Sequence, residues 1–600
     1  MVATINGMHR GIHVPFIEHT VLFFTGISLI ALLFWFVQPQ YVDVVQEQYG
    51  ERSVGTLPFL ERDAPAGQRT VHFQIILSPI HPTLFQVIPD DCVESLSVNG
   101  QPVTEHPLPI CDIDVGGTVD LTSVLHTGSN TVVLLLKNHG GTIALRIRPS
   151  RTDPLILVLS FSLMAIMVWY VSVSLVHFKR SVFLPMAFAL LAGIVIRGGY
   201  LLATPSWVRG HDTDSHIEYM RYITDHLALP TFHDSWESYQ PPLYYLISAL
   251  WMAVSDFWGF GQGTRLLGLQ LAGFAMSIGV LFISAWIACM LFPLHGKRAL
   301  ADRSAFLMAV AVYPGLVFFA ARINNDVLYH LLAFTALGVL LYWWQTGRSV
   351  AWYAACALIG LGILTKMNAL LLVPVVFGCL LFRRPLRWRR TLVHGVAGGF
   401  LILLLSGWFL AGRASEVSDI GTFVVGNVGN LQSNLRVPNT AGALLTFNPV
   451  GILRHPFNNP WDDRERRQYL WEYFFRSSLF GEFSFPNRGL AIVLLLLTLA
   501  FLPFAAAGFL RDVLERGRYW FPMMLVSFFM VAGHVANRFF NAFATSQDFR
   551  YSPLLLVPLF YYGIRGIGWL PESLRITARV FFSFFIFAAA AFFLHLYLPA

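Results

Sequence analysis

WVRGHDTDSHIEYMRYITDHLALPTFHDSWESYQPPLYYLISALW, residues 207–251, packs acids, histidines and aromatics into one polar segment among long apolar runs. The run before it, residues 182–203, is long enough to cross about 30 Å of hydrocarbon as a helix, which takes roughly 20 residues. Further runs follow at about 266–292, 305–320, 327–344, 351–365, 369–382 and 391–410, then near Ala491, Tyr519, Ser552 and Val580. With two more upstream, at about 21–37 and 154–176, the sequence predicts an α-helical polytopic membrane protein of about 13 spans. The apolar stretch at 243–254 is too short to span and is expected to lie as a helix along the outer surface.

Composition agrees. The chain is 55% hydrophobic and 12% charged, about half the usual charged fraction, so lipid is the solvent for most of it. The backbone must then satisfy its hydrogen bonds within helices. The net charge of +7 sits in short clusters between apolar runs rather than along one face, which argues against nucleic acid as a partner. Clusters at 177–180, 297–303, 383–390, 511–518 and 565–579 all fall on the cytoplasmic side of one topology, with the N-terminus inside and the C-terminus outside. The run at 21–37 lacks a small-residue cleavage site and reads as a retained span.

Residues 38–152 break the pattern. VHFQIIL from Val71, ESLSVNG from Glu94, TVVLLLKN from Thr131 and TIALRIRP from Thr142 are short β-rich runs punctuated by Gly, Pro and Asn. A small extracytoplasmic β-sandwich, jelly-roll-like, is expected there, inserted after the first helix. Cys92 and Cys111 fall inside it and suit a disulfide in an oxidising compartment, whereas Cys289, Cys356 and Cys379 lie in apolar runs. The division is then 1–37 first span, 38–152 β-domain, 153–181 second span, 182–412 membrane core with an outer loop at 205–264, 413–488 outer loop, and 489–600 C-terminal spans.

A helix beginning near Asp212 places Asp212, His216 and Tyr219 on one face. Ile217, Met220, Ile223 and Leu227 form an apolar face, expected to turn toward lipid. Asp212 and Asp214 suit a general base, or a divalent cation such as Mg or Mn held with His211 or His216. The plainer reading makes Asp212 a helix N-cap and Asp214 a favourable first-turn charge.

The order HDTDSHIEYMRYI, LP, QPPLYYL, RINND, GILTK resembles the GT-C superfamily of membrane glycosyltransferases, which includes protein O-mannosyltransferases and lipid A aminoarabinose transferases. The resemblance implies a GT-C-like fold from about residue 182 onward and transfer of sugar from a polyprenyl-phosphate donor to a glycolipid, glycan or protein hydroxyl. It implies Asp212 as base with Asp214 as runner-up, although the common Asp-Glu pair here reads Asp-Thr-Asp. Glu237, Tyr244 and His216 join as substrate-binding candidates. Arg322, Lys366 and Arg550 are the expected phosphate ligands, accompanied by Asn325 and Tyr551.

Each has a structural alternative. Asp326 and Asn325 suit a helix N-cap, Lys366 can snorkel or meet an anion, and Arg550 with Tyr551 suits an interfacial anchor. The 459–483 segment mixes charges with aromatics, where Trp461, Trp471 and Tyr473 are candidates to stack on a sugar. Rival functions are a lipid-linked glycan polymerase or ligase, kept alive by Arg454, His455 and Arg476, and a glycolipid flippase. The expected site is a prokaryotic inner membrane, with chemistry on its exterior. No Gly-rich phosphate loop implies a soluble nucleotide cofactor.

Overall fold

Alternating side chains in the polar region build strands, and continuous apolar runs build helices. The computed structural model describes residues 25–166 and 184–597, with gaps at 105–107, 112–115, 293–296, 384–387, 418–434 and shorter ones that include 205, 207, 211 and 233. The chain divides into two units, joined in sequence at residues 179 and 180.

The first unit carries β1 (Gln40–Gln48), β2 (Glu51–Gly55), β3 (Phe59–Ala64), β4 (Gly67–Leu77), β5 (Leu84–Pro89), β6 (Cys92–Val98), β7 (Gln101–Pro102), β8 (Gly117–Asp120), β9 (Gly128–Asn138) and β10 (Gly141–Pro149). They make two antiparallel sheets, ordered β2-β1-β4-β9-β6-β7 and β3-β10-β5-β8. Phe73 and Leu134 from one sheet share a buried core with Phe85 and Leu145 from the other. Cys92 and Cys111 form a disulfide. Described positions between 25 and 37 and between 154 and 166 are helical, while most of the second expected span and the basic cluster at 177–180 lie outside the described residues.

The second unit is helical. Its elements are α1 (Leu184–Ala203), α2 (Thr213–His226), α3 (Leu243–Phe257), α4 (Gln262–Leu291), α5 (Lys297–Val312), α6 (Asp326–Thr346), α7 (Ser349–Ile363), α8 (Leu372–Phe382), α9 (Trp388–Glu416), α10 (Pro449–Arg454), α11 (Leu470–Phe480), α12 (Arg488–Leu514), α13 (Trp520–Phe540), α14 (Leu556–Ile567) and α15 (Glu572–Tyr597), with shorter turns between them. Among the described residues seven helices, α1, α4, α6, α9, α12, α13 and α15, are long and apolar enough to cross a membrane. A further pair, Ala299–Val312 and Pro314–Ala321, bent by 61°, is long and apolar enough to make an eighth if it crosses as one broken span. Shorter apolar helices, Ser349–Ile363, Met367–Phe382 and Pro553–Ile567, stand where the remaining spans of this unit were expected.

The bend falls at Pro314, which has no N–H to donate and forbids a continuous helix. Arg197 compensates, because its buried guanidinium donates to the Ala311 carbonyl at 2.6 Å, beside the break. Gly508 of α12 and Gly566 of α14 let two backbones touch: a Cβ at either would fall within 2 Å of a carbonyl oxygen on the other helix.

The surface helix expected near 243 is α3. It exposes Leu246, Ile247, Leu250, Val254 and Phe257 and buries Tyr244, Tyr245, Ala249 and Met252. The expected orientation of α2 is corrected. Ile217, Met220 and Ile223 are buried rather than turned to lipid, with Met220 and Ile223 in a cluster with Tyr245, Ala249 and Met252 of α3, and only Leu227 is exposed. Stacking of Tyr219 on Tyr245, centroids 3.9 Å apart, fixes that face inward.

Candidate active site

The connections after α1, α2, α7 and α9 and those before α6, α12 and α14 converge on a cavity of about 910 Å³. Asp212, His216, Glu237, Asn325, Lys366, Arg550 and Tyr551 all line it, although they come from segments up to 339 positions apart (551 − 212).

Asp212 stands just before α2 with φ of +52°, in the left-handed region that Asp tolerates better than most residues. It holds the N-cap position, its carbonyl accepting from His216 N–H at 3.0 Å, but its side chain makes no capping hydrogen bond and is exposed, so the carboxyl group is available to the cavity. Asp214 does fit the plainer reading: it lies in the first turn of α2, exposed and away from the cavity wall. His216 is buried, its Nδ1 2.8 Å from the Tyr245 hydroxyl, and burial lowers its pKa to about 3, so the imidazole is neutral. Among the described residues no group of three or more His, Cys, Asp or Glu, Asp212, Asp214 and His216 included, is placed to hold a metal ion, and His211 lies outside the described residues.

Three of the expected motifs are tied together at the back of the cavity. Asn325, which precedes α6, donates to the Gln240 side chain at 3.1 Å and to the Thr365 carbonyl at 3.0 Å. Leu243 N–H donates to the Leu364 carbonyl at 2.8 Å. Asp326, the first residue of α6, forms a buried ion pair with Lys366. Lys366 thus meets an anion supplied by the chain itself, and Asp326 is a counterion rather than a cap.

Tyr551 lies between two cations: Lys366 Nζ is 5.2 Å and the Arg550 guanidinium 5.1 Å from its ring centre. Arg550 donates to the Tyr551 hydroxyl at 3.1 Å, and its Nε, 3.6 Å from Asp548, has no hydrogen-bond partner. Glu237 is 3% exposed, and its Oε2 is likewise unpaired. Burial and neighbouring Asp212 push its pKa up to about 8, so the group is largely protonated at neutral pH. Glu482, which accepts from the Tyr473 hydroxyl, is pushed up to about 8 by burial and by Asp548.

Two expected ligands lie elsewhere. Arg322 is stacked between Phe319 and Phe483, at 4.7 and 5.1 Å from their ring centres, and donates to the Arg209 carbonyl, which withdraws it from the cavity wall. Tyr244 is buried in the aromatic cluster that joins α2 to α3. The sequence did not single out Trp236, Tyr239, Asn458, Glu482 or Arg488, all on the wall. Tyr239 adjoins the QPPLYYL motif, whereas nothing local marks the other four. Of the three candidate stacking residues only Trp461 reaches the cavity.

Residues 240–409 match the family described as dolichyl-phosphate-mannose-protein mannosyltransferase. The expected resemblance to GT-C membrane glycosyltransferases holds in that stretch, which contains the Gln240, Asn325, Asp326 and Lys366 network but neither Asp212 nor Arg550. No curated protein sequence matches the chain. Solved structures that align with the chain include the oligosaccharyltransferase of Archaeoglobus fulgidus, at 13% identity and a TM-score of 0.40 over 70% of this chain and 56% of that one. ArnT from Cupriavidus metallidurans aligns at 14% identity and 0.30, covering 63% of this chain and 76% of its own. The arabinosyltransferase EmbB from Mycobacterium smegmatis aligns at 12% and 0.33, covering 96% and 63%. The chain thus spans little more than half the length of the archaeal enzyme.

Proposed function

We propose that this chain is a glycosyltransferase that moves a sugar, with inversion, from a polyprenyl-phosphate carrier to a hydroxyl of a glycolipid, polysaccharide or protein acceptor. The observation that carries the reading is the Asp212 carboxyl group, without a hydrogen-bond or ion-pair partner among the described residues, in one cavity with Arg550, Lys366 and Tyr551. The basic residues Arg303, Arg348, Arg383, Arg511 and Arg565 lie at or near the helix ends opposite those that lead into the cavity, so positive-inside orientation turns the cavity outward. In a prokaryote that is the exterior of the inner membrane.

The reaction needs a base and an electrophilic clamp. Asp212 takes the acceptor hydroxyl proton as the oxygen attacks the anomeric carbon. The bond between that carbon and the carrier phosphate oxygen breaks, and the electron pair leaves on the phosphate. Arg550, which lines the cavity, and Lys366, which keeps further N–H donors beyond the one given to Asp326, meet the growing charge. Exposed apolar residues of α3 provide a lipid-facing surface beside the cavity for the polyprenyl chain.

The test is incubation of the purified protein with radiolabelled polyprenyl-phosphate sugars and candidate acceptors, followed by chromatography of the lipid and glycan fractions. Consumption of at least one carrier sugar with label appearing on an acceptor is expected. Failure to consume any of them would sink the proposal.

A further inference from the structure

Among the described residues, the 450–490 segment contains six arginines, and four are committed. Arg464 pairs with Asp462, Arg466 with Glu472 and Arg467 with Asp463. Arg476 is buried, and its guanidinium donates to the carbonyls of His455, Phe457 and Glu465. The remaining two, Arg454 and Arg488, have no carboxylate partner among the described residues, and both line the cavity. Arg488 donates to the main-chain carbonyl of Arg454, which ties the two positions together, and neither guanidinium has a further hydrogen-bond partner among the described residues.

The same wall carries sugar-binding chemistry. Trp461 is 53% exposed beside them, offering an indole face. Asn458 is 4% exposed and has an amide oxygen with no donor, while its amide nitrogen is spent on Tyr473 and Gly481 carbonyls. Glu465, the nearby acid of this wall, is held by His455 at 2.9 Å. The cavity therefore has a second cationic region, supplied by a chain segment different from the one that supplies Lys366, Arg550 and Tyr551.

We propose that Arg454 and Arg488, with Trp461, form an acceptor subsite for an acidic sugar, one bearing a carboxylate or a phosphate. This rests on the transferase reading above. Two guanidinium groups lining one cavity suit a carboxylate or phosphate better than a neutral hydroxyl, since charge-assisted hydrogen bonds are about twice as strong as neutral ones. Holding the acidic group at this wall leaves a hydroxyl of the same glycan to be presented toward Asp212, while the carrier phosphate occupies the Lys366 and Arg550 region.

The experiment compares binding of trigalacturonate, its neutral methyl ester and undecaprenyl phosphate to the purified full chain at fixed ionic strength, with the Arg454→Gln/Arg488→Gln variant alongside. Both arginines are exposed, so the variant is expected to keep the wild-type unfolding transition. Wild type should bind the acidic sugar about tenfold more tightly than the ester, and the variant should lose that preference while retaining undecaprenyl phosphate. Equal binding of acid and ester by wild type overturns the subsite. Loss of undecaprenyl phosphate in the variant also overturns it, by assigning the pair to the carrier. If wild type binds no undecaprenyl phosphate at all, the transferase reading fails and this inference falls with it.

Discussion

Replacing Asp212 by Asn separates catalysis from folding more cleanly than any other single change in this cavity. The carboxyl group caps nothing and is exposed, so its removal deletes no interaction within the fold, and the stability change should stay within about 0.5 kcal/mol. Asn is the right substitute because the backbone there has φ of +52°, a conformation Asn shares with Asp and in which Ala would cost about 1–2 kcal/mol. Loss of a positioned base should lower the transfer rate by about 10²–10⁴-fold, or roughly 3–5 kcal/mol of transition-state stabilisation. The assay is single-turnover transfer from a labelled polyprenyl-phosphate sugar, run beside carrier binding and thermal unfolding. Carrier affinity and the unfolding midpoint should match wild type while transfer collapses. Transfer within threefold of wild type would refute the assignment of the base, and a large drop in midpoint would show that the residue is structural after all.

Asp214→Asn should leave transfer near wild type, since that residue is not on the cavity wall; a loss comparable to that of Asp212→Asn would reverse the assignment. Lys366→Met strands the Asp326 carboxylate, 1% exposed, and should cost about 3–5 kcal/mol of stability. Adding Asp326→Asn should recover most of that in chemical denaturation, though not the carrier affinity. Glu237 titrates near pH 8 in the fold and near its ordinary 4.5 when unfolded, so the folded state holds its proton more tightly. Its contribution to stability is fullest below about pH 4.5 and declines as pH rises toward 8. Glu237→Gln, which cannot ionise, should therefore gain on wild type between those values, and an unfolding midpoint difference that stays flat with pH would contradict the burial of this carboxyl.

Much of the architecture follows from local rules. Apolar runs of spanning length become helices because lipid gives the backbone no other partner, so the long spans from α1 to α15 appear where hydropathy put them. Alternation set β4 and β9, which pair residue by residue from Gly67 with Asn138 to Leu77 with Gly128. Asp212, Lys366 and Arg550, singled out by the order of motifs that resembles GT-C enzymes, do line one cavity.

The roles of neighbouring charges were not legible, because they depend on partners far away in the chain. Lys366 meets Asp326 across 40 positions, and Arg322 is removed from the cavity by stacking on Phe483, 161 positions away (483 − 322). Periodicity gave α2 an apolar face but could not say whether lipid or Tyr245 would cover it. The same holds for Arg454 and Arg488, which only their partners, and no local feature, separate from the paired Arg464, Arg466 and Arg467. Hydrophobic length is a property of a segment, and so the sequence alone determined the spans. Neutralisation of a charge is a property of what the fold brings within a few ångströms, and so only the tertiary structure decided which cations are spent and which remain for a ligand.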